Sequence, residues 1–209
     1  AYADPAGAPV DLEAARALLE PDEALVLFAS ANETAVGGGG LSSVTVVTSE
    51  TIAAGRMLPS EDLRWLAAEL RCSAALTDRR CNLGGAGDAT RGGFTLGGTV
   101  TNGPVFDFEA AHLAWLATLA PVADALTGKR HLIVVPDRAL VSMPFHLMLT
   151  EAPGPQVTPT VAPWLIRDHA ITVVPTVAGL QALRTAGRAA GRTPRFLGVG
   201  DPLIGRQAE

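Results

Sequence analysis

Lysine is all but missing from this 209-residue chain: Lys129 is the only one, and arginine supplies the other positive charges. Lys and Arg together number 16 against 21 Asp and Glu, a formal net charge of -5. A chain with that balance lacks the basic surface that holds nucleic acid, so no nucleic-acid partner is expected. Charge is scarce in general, at 18% of residues, while hydrophobic residues make up 48%. Intrinsic disorder needs the opposite balance and is excluded. Long apolar runs are missing too. None approaches the ~20 residues that a membrane span requires. The length suits one or two domains, each with room for a proper core.

Several chemical signatures are also missing. No Gly-x-Ser-x-Gly elbow occurs, so an α/β-type serine hydrolase has no nucleophile here. There is no Gly-x-x-x-x-Gly-Lys-Ser/Thr loop, and Lys129 precedes a strand rather than opening a helix. Gly37 to Gly40 reads as a turn between strands rather than a phosphate cradle. Asn32-Glu33-Thr34 matches a glycosylation acceptor, but no secretory signal is visible before residue 10. No cofactor is implied. Ala1 stands where an initiator Met would, so the chain reads as a processed product or a piece of a longer protein.

Cysteine is confined to Cys72 and Cys81. A disulfide between them would close a short loop, restrict the unfolded chain, and imply an oxidising compartment. Two structural thiols are the competing reading, consistent with a cytoplasmic location. A metal site needs further Cys or His ligands, and none lies near in sequence. A nucleophilic thiol needs a base and an orienting group, and neither is adjacent.

The histidines are His112, His131, His146 and His169. No two have the i, i+4 spacing of a metal pair, so no metal is expected. His112 falls within a helix as a packed or rim residue. His131 opens a strand. His146, beside Phe145, is expected to pack, and His169 to be solvated. Asp137 ends a strand, where α/β sites collect; the plainer reading is a turn-forming Asp that bonds its own backbone.

Hydrophobic periodicity sets the elements. Residues 1–10 read as a linker or tail. Residues 11–20 form a helix with Asp11 as N-cap. Residues 24–29 and 43–48 are strands of a hairpin. Ser60 caps a helix with Leu63, Leu66, Ala67 and Leu70 on one face, and residues 82–104 look like an irregular insertion. Phe108, Ala111, Trp115, Leu119, Val122 and Leu126 predict one helix over 106–127, closed by Gly128. Residues 131–136 form a strand buried on both faces. Ser142 is expected to cap a short helix over 145–149. A strand at 170–174, a helix capped by Thr176, and a strand at 195–200 follow. The alternation predicts an α/β layered sheet with helices on both faces, preceded by an antiparallel hairpin region.

The stretch Leu132-Ile-Val-Val-Pro-Asp-Arg-Ala-Leu-Val-Ser-Met-Pro-Phe-His-Leu-Met-Leu149 resembles the hallmark segment of CHAT domains. These are caspase-like peptidases often found after tetratricopeptide repeats. There a hydrophobic strand ends in Pro-Asp, and a short connection leads to a Pro-Phe helix. Trp164 to Leu180 and Phe196-Leu-Gly-Val-Gly-Asp-Pro202 resemble the elements that follow, and the likeness covers about residues 11–203. It implies a pseudo-peptidase part over 11–130 and a central α/β part over 131–209, ending at the first strand of the catalytic half. The family's His–Cys dyad follows the Gly-Asp-Pro strand, in a His-Gly motif and beyond. His169, Cys72 and Cys81 do not match it, so no catalytic residue carries over. The resemblance implies a chain that scaffolds a dyad beyond residue 209, or alternatively an interaction module without catalysis. The implied partners are a peptide substrate, upstream helical repeats and the missing catalytic half. Asp201, on the loop bordering the pocket before the cleaved bond, could select a basic residue; otherwise Gly200-Asp201-Pro202 is a turn.

Overall fold

The computed structural model describes residues 10–30, 42–74, 89–91, 94–96, 106–138 and 140–190. Five strands form a mixed sheet: β1 (Glu23–Ala29), β2 (Ser43–Val47), β3 (Ile52–Arg56), β6 (His131–Val135) and β7 (Ala170–Val173). Their order is β3-β2-β1-β6-β7. The hairpin half, β1 to β3, is antiparallel. β6 runs parallel to both β1 and β7. The expected α/β architecture with a leading hairpin is the one found.

Alternation along the strands feeds two cores. Ala24, Val26 and Phe28 of β1 join Leu132 and Val134 of β6 in the larger one. It packs against α2 (Ser60–Ala74) and α3 (Phe108–Thr118), where Leu63, Leu66, Leu70 and Trp115 are buried. Leu25 and Ile133 face the other way, toward Ala15, Leu18 and Leu180. Those last residues belong to α1 (Leu12–Arg16), the turn after it, and α6 (Val177–Ala190). Helices thus cover both faces. Burying each large aliphatic side chain contributes roughly 1.5–3 kcal/mol against its exposed state.

The caps read from sequence are in place at two helices. Asp11 Oδ1 accepts from Ala14 N–H at 2.7 Å, and Thr176 Oγ1 accepts from Gly179 N–H at 3.0 Å. Gly128 has φ +75°, the left-handed conformation a helix-terminating glycine supplies.

Other expectations need correction. The helix over 106–127 is broken: α3 stops at Thr118, a 3-10 turn spans Ala120–Val122, and α4 covers only Ala123–Leu126. Pro121 is the cause, since it lacks an N–H and disfavours the α conformation at Ala120. Leu119, Val122 and Leu126 remain buried nonetheless. α1 ends at Arg16 instead of reaching residue 20. The helix expected over 145–149 is a single 3-10 turn, Phe145–Leu147, with no side-chain cap from Ser142. Residues 82–104 contain a small hairpin, β4 (Ala89–Arg91) with β5 (Phe94–Leu96).

β3 and the short α5 (Leu165–Asp168) were not expected. β3 carries Gly55 where a Cβ would lie 2.5 Å from Pro121 Cβ, so the helix break and the third strand are packed against each other. The strand expected at 195–200 lies outside the described residues.

Candidate functional site

In parallel α/β sheets, ligand sites gather beyond the carboxyl ends of the strands, near a change in strand order. Here that place is where β1 meets β6. Ser30 follows β1, and Asp137 follows β6 after Pro136. Asp137 Oδ2 accepts from Ser30 N–H at 2.6 Å, and its Oδ1 accepts from Arg138 N–H at 2.7 Å. The Asp137 backbone carbonyl accepts from Leu140 N–H at 2.6 Å, which turns the chain. Asp137 is therefore the turn former the plainer reading expected, and it also ties two strand ends together.

The electrostatics follow from these bonds. The Ser30 N–H, opposed by partial burial and helped by the Arg138 N–H, holds the Asp137 carboxyl below the usual carboxylate range. The Ser30 hydroxyl also favours the charged carboxylate. Yet Ser30 Oγ is buried and makes no hydrogen bond of proper geometry among the described residues. A buried hydroxyl in that state has spare bonding capacity at the rim of the sheet. Phe145 lines the same region, stacked on Phe28 with centroids 5.5 Å apart.

The amino ends of the strands carry a separate network. Glu23 is buried at 7% exposure and accepts from Arg184 Nη2 at 2.7 Å and from Glu20 N–H at 2.8 Å. His131 Nδ1 lies 3.2 Å from Glu23 Oε1, and His131 Nε2 lies 2.8 Å from Thr172 Oγ1. One carboxylate thus links β1, β6 and α6, and His131 extends the link to β7. Burial pushes the Glu23 carboxyl up. Arg184, the Glu20 N–H and His131 outweigh it and leave the group below its ordinary range. Asp22 pairs with Arg130 beside it at 2.8 Å. A cavity of about 350 Å³ opens at this end, lined by Trp115, Leu126, Lys129, Thr150, Asp168 and His169 among others.

The remaining residues singled out in the sequence fall in several places. His112 Nδ1 donates to the Leu149 carbonyl at 3.1 Å, so it packs α3 onto a loop. His146 is exposed rather than packed, because Phe145 takes the buried position. His169 is half-buried rather than solvated, and its Nδ1 donates to the Lys129 carbonyl at 2.6 Å. Cys72 sits in the last turn of α2, and no described cysteine is a free thiol. Cys81, Asp201, Asn32 and the Gly37 to Gly40 run lie outside the described residues. Among the described residues no cluster of three or more His, Cys, Asp or Glu side chains is placed to hold a metal. No described helix is long and apolar enough to cross a membrane.

Sequence reasoning missed Ser30, Glu23 and Arg184. Glu23 carried one usable signal, a charge at the start of an otherwise apolar strand.

Residues 109–208 match the family model of the CHAT domain. The resemblance drawn from the hallmark segment is supported over this part of the chain, which is similar to the CHAT domain. The match begins in α3 and takes in β6, β7 and α6, and so contains Asp137. Residues 11–108, to which the resemblance was also extended, lie outside it. No curated protein and no solved structure matches the chain.

The Glu23 network makes a pH prediction. A carboxyl whose folded pKa is lowered stabilises the fold above its unfolded pKa, about 4.3 for Glu. That contribution disappears as pH falls through the lower folded value. Glu23→Gln should therefore cost about 1–3 kcal/mol at pH 7 by urea denaturation. The gap from the native chain should close below about pH 4. A gap that stays constant down to pH 2 would count against the charged network.

Proposed function

We propose that this chain is the N-terminal, non-catalytic portion of a CHAT-type cysteine endopeptidase, scaffolding a His–Cys dyad carried by residues beyond it. The observation that carries this reading is the state of β7. It is parallel to β6 and outermost on its side of the sheet among the described residues. Its Val173 is 54% exposed, and Leu183 on the following helix is 66% exposed. An apolar strand edge of that kind favours the addition of further strands. In the caspase-like plan the dyad stands on the strands that come next. The described side chains themselves supply little for nucleophilic catalysis at the carboxyl rim. His131 and His169 open β6 and β7 at the opposite end, and Cys72 is on α2. The substrate in this reading is a peptide, and Asp201 remains the residue proposed to favour a basic side chain before the cleaved bond.

A second reading has one observation in its favour. Val141, Val161 and Ile166, on the connection from β6 to β7, are 67%, 68% and 53% exposed. Large apolar side chains so exposed suit a protein contact, with helical repeats or another partner, in a module that never catalyses.

Assays on fluorogenic peptides separate the two. The 209-residue chain should hydrolyse none. The protein extended through the downstream motifs should cleave, and alkylation of its thiol should abolish cleavage. Hydrolysis by the chain alone would overturn the scaffold reading, and an inert extended protein would favour the interaction module.

We also propose a disulfide between Cys72 and Cys81, supported by the absence of a free thiol among the described cysteines. Thiol titration in denaturant without reductant should then find none, whereas two reactive thiols would reject the bond.

A further inference from the structure

The amino-end network looks self-sufficient: its carboxylate, guanidinium and imidazole groups satisfy one another. The Asp137 cluster is different. It uses one carboxylate to hold two main-chain N–H groups from segments 107 residues apart. Beside them the Ser30 hydroxyl is buried, with no hydrogen bond of proper geometry among the described residues. Charge-assisted bonds of 2.6 and 2.7 Å are stronger than neutral ones. They fall just past the last paired residues, Leu27 with Val135, where the parallel ladder no longer fixes the chain.

We propose that Asp137 is a positioning residue, whose carboxylate clamps the carboxyl ends of β1 and β6 and so sets the rim against which the catalytic strands are presented. The proposal deepens the scaffold reading and rests on it. The clamp touches no reacting atom. It fixes where Ser30 and Arg138 start the two rim segments, and a misplacement of about 1 Å at such a site can cost about a hundredfold in rate. An amide cannot replace it. Asparagine offers one acceptor and turns N–H donors toward a second N–H, so one of the two bonds must be lost.

The test uses the extended, dyad-bearing protein with and without Asp137→Asn, and two readouts. Hydrogen exchange at the Ser30 and Arg138 amides reads the clamp itself. Peptide hydrolysis, counted per alkylation-titrated thiol, reads its consequence and leaves misfolded molecules out. The expected result is at least one of the two amides exchanging about tenfold or more faster in the variant. With it, kcat per titrated site should fall about ten- to a hundredfold, with KM changed less than about threefold. A merely structural residue would lower the number of titratable sites and leave kcat per site unchanged. That outcome, or amides that exchange alike in both proteins, would overturn the positioning role. An unmutated protein that cleaves nothing while its two amides respond as expected would instead overturn the enzyme reading and the reaction the clamp serves.

Discussion

β6 is the element on which the rest of the structure depends. Leu132, Ile133 and Val134 are fully buried, and they alternate between two cores that lie on opposite faces of the sheet. A slip of one residue would exchange the two sets of side chains. The register is held at the amino end by main-chain bonds. Arg130 N–H and His131 N–H both donate to the Asp22 carbonyl, and Ala170 N–H donates to the Arg130 carbonyl. Glu23 adds side-chain bonds to β6 and α6, and His131 carries the link on to Thr172 of β7. The parallel half of the sheet is thus tied off at the end where its strands begin.

The other end, where the strands finish, is held differently. Two strand termini converge there on Asp137, and the nearby Ser30 hydroxyl makes no hydrogen bond of proper geometry among the described residues. The antiparallel hairpin stops at β1, so the change from antiparallel to parallel pairing falls at this junction. The CHAT-domain match spans the parallel half and α3, and omits the hairpin and α2. Both observations divide the molecule along the same line. The hairpin side covers and braces the sheet, and the parallel side carries the family's hallmark segment.

Much of this was legible in the sequence because it is local. The run Leu132 to Val135 is apolar without alternation, as a strand buried on both faces must be. Asp11, Thr176 and Gly128 act through bonds or dihedrals within a few residues. β3 was not legible, since Ala53, Ala54 and Gly55 have little strand preference and pair only because β2 offers Val44 and Val46. Its glycine answers to Pro121, far off in the chain. The site was half legible for the same reason. Asp137 could be found from its place after a strand and a proline. Its bond to Ser30 spans 107 residues, and that of Arg184 to Glu23 spans 161. Contacts of such range depend on topology, which no local pattern encodes.

The central claim is that this chain supplies a scaffold and the downstream segment the dyad. Complementation in trans tests it most directly: the 209-residue chain and the downstream segment are produced separately, then mixed, and peptide hydrolysis is followed. The account predicts no cleavage by either part and thiol-dependent cleavage by the mixture. A downstream segment that cleaves equally well without this chain would contradict it.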